Sequence, residues 1–392
     1  MKKVILFKID SLNIGGIERL AVDVLKNIDY SNKKIYLLVE RHREEILGKE
    51  LPKEKMEIIY LKSKKLEEFI EYVKSRKKNI FFKLIYNFLM SYERIVASRT
   101  INKISKKYDN KVTFIDYAGS STKYIRMVKA EKKIYWSHFT ISNIKKSKLK
   151  RLGKRLDKYD TIVTICDEMK EEYENLFPKL KNKIKRIYNF IDEKKIEQKI
   201  TEGGYTLSDE EYKLLKDEYC LSVGRLTNQK DHKTMIEAFS ILKSKGIKEK
   251  LYILGDGELK PELEQIIKEK KLENEIILLG SKINPYIWLK NAKLFVHSAI
   301  FEGFPMVLLE ALYVGVPIVT SNFKSGALEL VEREKNGEIF EVGNSKEFAE
   351  KIEKLLKNDN LRKEYINKSK KLVEKFYLEN IIKEYEKVMS EK

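Results

Sequence analysis

Two carboxylates and two cations carry the first chemical suggestion in this sequence. In the segment 301–317, FEGFPMVLLEALYVGVP, Glu302 stands just before a predicted helix and Glu310 lies inside it. Pro305 suits the first turn of that helix, and Gly303 lets backbone come close to a ligand. Unpaired N–H groups at a helix start favour an anion. A carboxylate beside them can accept hydrogen bonds from sugar hydroxyls while the amides hold phosphate. The plainer reading makes Glu302 a helix cap and Glu310 a solvated residue. Against it, Glu310 falls in the apolar run VLLEAL, where an unpartnered carboxylate is costly. The segment 223–231, VGRLTNQKD, ends a predicted strand at Gly224 and places Arg225 and Lys230 in the next loop. A guanidinium and an ammonium converging there would neutralise a diphosphate leaving group.

These loops need strands to aim them. Short apolar runs predict strands at 3–9, 34–39, 57–61, 112–116, 133–136, 161–165 and 184–188, with helical stretches between several of them. After Asp192 the pattern weakens, and 196–217, with Gly203-Gly204, reads as a linker with helical pieces. Alternation restarts with strands at 219–223, 250–254, 275–279, 293–297 and 316–320, separated by helices at 231–245, 260–271, 285–291 and 305–314. Strand–helix alternation predicts parallel sheets, so the fold class is α/β with two consecutive doubly wound domains. The expected divisions are 1–195, a linker at 196–217, 218–374, and a C-terminal helix at 375–392 returning to the first domain. Ligands in such sheets bind outside the carboxyl ends of the strands, which predicts a site in a central cleft between the two domains.

The charge is divided as unevenly as the chemistry. The 392 residues carry a net charge of +20, but residues 1–200 hold 48 Lys and Arg against 27 Asp and Glu, a net of +21. Residues 201–392 hold 32 against 33, a net of −1. Such asymmetry points to an interaction surface on one domain. One basic segment is IKKSKLKRLGKR at 144–155, including Lys145, Lys146, Lys148, Lys150 and Arg151. Another is 74–107, where basic residues interleave with Phe81, Phe82 and other apolar side chains. On a helix, Phe81, Ile85, Phe88, Leu89 and Tyr92 share one face, which reads equally as a membrane-surface element or an ordinary packing face. Cys166 and Cys220 are the two cysteines, in no metal or redox spacing, which predicts neither a disulfide scaffold nor a Cys-based zinc site. The first ten residues predict no secretory leader, and no apolar window is long enough to span a bilayer.

Taken in order, the motifs resemble the retaining glycosyltransferases of the GT-B fold, the large family 4 type that includes sugar transferases of bacterial lipopolysaccharide and capsule assembly. The resemblance rests on NIGGIERL with Gly15 and Gly16, His138 in IYWSHF, IYNFID at 187–192 and GRLTNQKD. It continues through LGDG at 254–257, the two glutamates of EGFPMVLLE, and NGEIFEVGN at 336–344. It implies two Rossmann-like domains, the first binding acceptor and the second binding a nucleotide sugar. Glu310 would bind ribose hydroxyls and Glu302 the donor sugar. Gly303, Phe304, Pro305, Met306 and Val307 would hold sugar or phosphate. Arg225 and Lys230, beside Gly224, would neutralise the diphosphate, Gly15 and Gly16 would approach the phosphates, and the backbone at Ser281–Ile283 would meet the base. His138 would sit near the reacting sugar, although a hydrogen-bonded core histidine is its bland alternative.

No Asp-x-Asp metal motif serves the diphosphate, so metal-independent transfer without a cofactor is expected, and with no nucleophile standing out no covalent glycosyl-enzyme is expected; retention, by same-face attack, is what the resemblance implies. The resemblance implies a UDP-sugar donor and a glycan or lipid-linked acceptor. It also implies a cytoplasmic protein held peripherally on the anionic inner face of the membrane. One departure touches the donor sugar: relatives carry Gly-Gly-x-x-Glu where this chain reads FKSGALELV at 323–331, with Glu329 keeping an acidic position. A GDP-mannose-dependent mannosyltransferase, or a GT-B epimerase, is the alternative. A phosphorylase would want a pyridoxal-phosphate lysine that is not found, and nucleic acid is not an expected partner, because no recognisable binding module accompanies the basic residues.

Overall fold

The computed structural model describes residues 2–13, 15–117, 119–141, 144–203, 207–333 and 335–391. Ile14 of NIGGIERL and Gly204 of the Gly203-Gly204 pair lie outside these. The chain packs as two units. The first comprises Met1–Ile165, Met169–Tyr188 and Ile381–Lys392, and the second comprises Cys166–Glu168 and Asn189–Asn380.

The first unit holds seven strands: β1 (Lys3–Ile9), β2 (Lys33–Val39), β3 (Met56–Tyr60), β4 (Val112–Asp116), β5 (Lys132–Ser137), β6 (Thr161–Thr164) and β7 (Ile184–Arg186). Every pairing is parallel, in the order β3-β2-β1-β4-β5-β6-β7. A parallel sheet is covered on both faces, which is why β1 and β2 read as apolar runs rather than alternating ones. The helices are α1 (Gly16–Asn27), α2 (Lys64–Ser75), α3 (Ile80–Lys106), α4 (Lys146–Leu156) and α5 (Asp167–Leu176). From the C-terminal helix, Leu378–Ser390, Tyr385 stacks on Trp136 with ring centroids 4.3 Å apart.

The second unit begins with α6 (Glu193–Glu202) and α7 (Asp209–Leu214). Alternation follows: β8 (Tyr219–Val223), α8 (His232–Ser244), β9 (Lys250–Leu254), α9 (Lys260–Glu269), β10 (Ile276–Gly280), α10 (Tyr286–Asn291), β11 (Leu294–His297), α11 (Met306–Val314), β12 (Ile318–Ser321), β13 (Gly337–Phe340), α12 (Ser345–Leu356) and α13 (Asp359–Val373). Its parallel sheet runs β10-β9-β8-β11-β12-β13. Leu251, Ile253, Val296 and Val319 form one core with Phe239 of α8 and Phe348 of α12. Each sheet reverses its winding beside its first strand, between β1 and β4 and between β8 and β11.

Several expectations need correction. The segment 196–217, expected as a linker with helical pieces, carries most of α6 and all of α7 and groups with the second unit rather than standing between the two. Ser208 and Glu211 start α7 with a reciprocal capping box. The strand β13 was missed, because GEIF is short and half its residues are only partly buried. Helix α11 begins at Met306, with Pro305 at its cap. Helix α3 does not turn its aromatics to one side. Phe82, expected with Phe81 at a membrane or acceptor surface, packs against α2 with Ile85, Tyr86, Leu89 and Met90, over Ile70 and Val73. Phe81, Leu84, Phe88 and Tyr92 are exposed. The apolar arc of α3 is wider than one neighbouring helix can cover.

Candidate functional site

The chemistry singled out in the second half of the chain converges because β8 and β11 are neighbours. The loop after β8 carries Arg225 and Lys230, and the loop after β11 carries Glu302. Ile300 N donates to Gln229 O at 2.9 Å, and Gln229 Nε2 donates to Phe301 O at 2.8 Å. Ser298 Oγ lies 2.9 Å from both Lys230 O and Asp231 O. These bonds stitch the two loops at the point where the sheet reverses, the usual ligand position of an open α/β sheet.

Lys230 Nζ stands 2.5 Å from Glu302 Oε1, with both side chains mostly buried. His297, the last residue of β11, brings Nε2 to 3.7 Å from the same oxygen. Charge attraction at these distances, with the ammonium close enough to donate to the carboxylate, holds the group together. Burial acts to raise the Glu302 carboxyl, but His297 and Lys230 outweigh it and keep the group below its ordinary value. Burial lowers His297 despite Glu302. His232, at the start of α8, is pushed down to about 4 by burial, with His297 and Lys230 adding to the effect. The site therefore presents an ionised carboxylate and an ammonium beside two neutral imidazoles. The histidines were missed from sequence because they lie inside ordinary strand and helix patterns.

Gly224 has a local purpose: a Cβ there would come within 3.2 Å of the Lys230 side chain, which lies across it. The turn LGDG, whose plainer reading was strand closure, supports the same loop. Leu226 N donates to Asp256 O at 3.0 Å. A Cβ at Gly255, with φ +142°, would lie 1.9 Å from Gly224 O. We expect Gly255→Ala to cost about 3 kcal/mol or more in stability, because fixed backbone is the obstacle. Thermal melts with and without nucleotide check this, and the nucleotide-induced shift should shrink as the Arg225 loop moves. Arg225 is exposed, and no ion pair joins it to a carboxylate among the described residues.

Glu310 lies one helical segment further on and does not touch the Lys230–Glu302 pair. Its Oε1 accepts from Tyr286 Oη at 3.0 Å. Burial pushes it up to about 7, outweighing the Tyr286 hydrogen bond and the nearby Lys195 cation. The carboxyl keeps one side accessible, because the residue is half-buried. Phe304 and Pro305 are buried, with Met306 and Val307 in the first turn of α11. Against them packs the loop that departs from the family pattern: a Cβ at Gly326 would meet Pro305 Cδ at 2.8 Å. In that loop Glu329 accepts from Glu168 N at 2.7 Å, and Gly326 N donates to Glu168 Oε2 at 3.1 Å. Ser281 and Ile283 follow β10, and Ile283 is 91% exposed.

In the first unit, Gly16 opens α1 with free space where a Cβ would stand, whereas a Cβ at Gly15 would strike the Glu18 carboxylate at 2.2 Å. His138 follows β5 and is 6% exposed; its ring nitrogens make no well-aligned hydrogen bond among the described residues, although the Tyr117 backbone lies close enough to favour the charged form slightly. Burial pushes it down to about 3, so it is a neutral ring. Its ring stands edge-on to Tyr117, with centroids 4.6 Å apart. Next to it, at the reversal between β1 and β4, a charge network went unnoticed in the sequence. The fully buried Lys8 pairs with Glu40 and stands 3.6 Å from Asp116. Asp116 Oδ2 accepts from Tyr159 Oη and Ser121 N, each at 2.9 Å. Burial alone would lower the Lys8 ammonium, but Glu40, Tyr124 and Asp116 more than offset it.

Lys145, at the cap of α4, and Lys146, Lys148, Lys150 and Arg151 within it are exposed, as is Phe81. Among the described residues no helix is long and apolar enough to cross a membrane, and no group of three or more His, Cys, Asp or Glu could hold a metal ion.

Known proteins resemble this chain in its second half and in its fold. Residues 206–372 match the family described as glycosyl transferases group 1. A Campylobacter jejuni N-acetylgalactosamine-N,N'-diacetylbacillosaminyl-diphospho-undecaprenol 4-alpha-N-acetylgalactosaminyltransferase is 40% identical over 184 residues, covering 47% of each chain. The Staphylococcus aureus capsular polysaccharide biosynthesis glycosyltransferase CapM is 32% identical over 178 residues, 45% of this chain and 47% of that one. The match thus spans about half the length of these relatives. Among solved structures, Anabaena HepE in complex with UDP aligns over 99% of both chains with a TM-score of 0.74 and 16% identity. That likeness gives the fold, two Rossmann-like parallel-sheet domains of the GT-B class.

Proposed function

With residues 206–372 belonging to the glycosyl transferases group 1 family, we propose that the whole chain moves a hexose or N-acetylhexosamine from a UDP-sugar to a lipid-linked or membrane-associated glycan. Anomeric configuration is retained, and the product serves surface polysaccharide or glycolipid synthesis. The observation that carries this reading is the Lys230–Glu302 pair between the β8 and β11 loops, with Glu310 on the helix that follows. The names of the relatives support it. One is a transferase of N-acetylgalactosamine to a diphospho-undecaprenol-linked sugar, and HepE was solved with UDP.

In this reading Lys230 and Arg225 take the charge that develops on the departing diphosphate, helped by backbone amides at the start of α11. Glu302 accepts from the donor sugar, and Glu310 accepts from the ribose hydroxyls. The backbone at Ser281–Ile283 meets the base, and Gly15 and Gly16 leave room for phosphate. His138, a neutral ring, hydrogen-bonds a sugar hydroxyl rather than moving a proton. The acceptor hydroxyl attacks the anomeric carbon from the face the diphosphate leaves, and the leaving phosphate takes its proton. Two cations and backbone amides supply the charge stabilisation, so transfer needs no metal ion. The exposed apolar stripe of α3 and the cations of α4 rest on the anionic inner face of the membrane.

Thermal shift with UDP, GDP and ADP tests the donor: UDP should give the largest rise. A larger rise with GDP would replace the UDP assignment with the GDP-mannose alternative, and no rise with any of them would sink the transferase reading. Transfer should survive EDTA. Because His138 stays neutral, the pH–rate profile should show no limb near the ordinary histidine value of about 6.5 that disappears in His138→Asn.

A further inference from the structure

The first unit contains a groove whose apolar lining none of these roles uses, although α4 cations already assigned to the membrane face stand at its edge. It has a volume of about 600 Å³ and lies between α4 and the turn after α5. That size suits a ligand of a few tens of heavy atoms, since such sites run from about 300 to 1,000 Å³. Its floor is apolar, formed by Leu149, Leu176, Phe177 and Leu180. Its rim is cationic: Arg126, Lys146, Lys150 and Lys154 stand on one side and Lys179 on the other. The one carboxylate in the lining, Asp157, is engaged by Lys158 at 3.2 Å and Lys183 at 3.7 Å. The α4 backbone lies directly on the floor, because a Cβ at Gly153 would meet the Phe177 ring at 2.9 Å.

Behind the rim the positive charge is concentrated further. Burial lowers the Arg155 guanidinium, and Arg94 of α3, Arg151 and Arg126 lower it again by like-charge repulsion. Among the described residues none of these four arginines has a carboxylate within ion-pair distance. A protein gathers like charges without counter-ions at an energetic cost, and an anion relieves it. A soluble anion would use the rim but leave the floor wet. A bare hydrocarbon would use the floor but leave the rim unneutralised. A phosphate or diphosphate head joined to a hydrocarbon chain satisfies both.

We propose that the groove between α4 and Phe177 binds the lipid end of the acceptor, with the head group on the Arg126–Lys154 rim and the first part of the chain over Leu149, Leu176 and Phe177. The choice of a lipid diphosphate rests on the acceptor reading above, while the groove's amphiphilic character stands on its lining. Docked there, the head group anchors the acceptor on the first unit independently of the donor.

The test uses the full chain and four probes titrated by calorimetry: farnesyl diphosphate, inorganic diphosphate, farnesol and a short RNA duplex. Farnesyl diphosphate should bind at least about tenfold tighter than either fragment, because the two halves of the groove act together. Lys154→Gln/Lys179→Gln, at exposed positions on opposite walls, should weaken it about tenfold. Leu176→Ser, also exposed, should weaken farnesyl diphosphate but leave inorganic diphosphate unchanged. The UDP-induced thermal shift should be the same in all variants, confirming that they fold and separating this result from the donor assignment. The proposal is overturned if inorganic diphosphate binds as tightly as farnesyl diphosphate or if the variants bind normally. It is equally overturned if a short RNA duplex, and not farnesyl diphosphate, is the ligand lost in the double variant. Binding of farnesyl diphosphate without any UDP shift would leave the groove standing and remove the transferase reading instead.

Discussion

Glu310→Gln should abolish sugar transfer and, at pH 8, raise the melting temperature of the folded protein. Both effects come from one carboxyl. Burial holds Glu310 at about 7, against an ordinary value of 4.5. In the unfolded chain the proton leaves near the lower value, and in the native state near the higher one. The native state is therefore not penalised below pH 4.5, loses stability as pH rises towards 7, and carries the full penalty above it. The penalty is on the order of 2–3 kcal/mol, and glutamine removes it. The variant should accordingly match the wild type near pH 4 and exceed it by several degrees at pH 8. Catalysis runs the other way. An ionised Glu310 is the better acceptor for ribose hydroxyls, so wild-type affinity for UDP should rise between pH 6 and 8 by more than that of Glu310→Gln. A variant that is more stable but inactive cannot be dismissed as misfolded. Retained transfer, or a flat stability difference across pH, would remove Glu310 from the site.

Lys230→Ala is expected to reduce kcat by about 10³-fold, the scale of losing one charge-stabilising group at a leaving oxyanion. It should also cost about 1–3 kcal/mol of stability, since Glu302 is left half-compensated beside a neutral His297. Glu302 then loses one of the two groups that hold its carboxyl low, so its pKa rises and the residual activity should fall off at higher pH than in the wild type. Lys230→Ala/Glu302→Gln should recover most of the stability and none of the activity. That outcome separates the structural worth of the pair from its chemical worth. Arg225→Ala, by contrast, should leave stability unchanged, because the guanidinium is exposed and has no ion pair among the described residues, and should weaken UDP binding. Melting curves paired with a transfer assay on the four proteins check all of this.

Local pattern made much of the molecule legible. Buried parallel strands must be apolar on both faces, so KVILFKI, KIYLLV and YCLSV identify themselves. The candidate site segments were readable because their residue types conflict with their surroundings: a carboxylate within VLLEAL, cations straight after a strand. Where the residues obey the local pattern, the function stayed hidden. His297 ends β11 as any apolar strand residue might, Lys8 sits inside β1, and GEIF was too short to stand out as β13.

Which loops meet is a property of strand order, and no local pattern records it. Lys230 and Glu302 lie more than seventy residues apart. They pair because β11 crosses over to lie beside β8 on the side opposite β9, which brings the loops after both strands together. The same limit applies to α3. Its spacing specified an apolar arc, but only packing against α2 decided that Phe82 and Leu89 are covered and that Phe81 and Phe88 are not. By itself the sequence determined most of the strands and helices, the α/β alternation in two runs, the charge imbalance between the halves and the residue types of the candidate site segments, all of which depend on neighbours along the chain. Tertiary structure alone decided the Lys230–Glu302–His297 meeting, the buried Lys8–Asp116 network and the groove over Phe177. Those depend on distances between strands and helices that the chain visits at separate times.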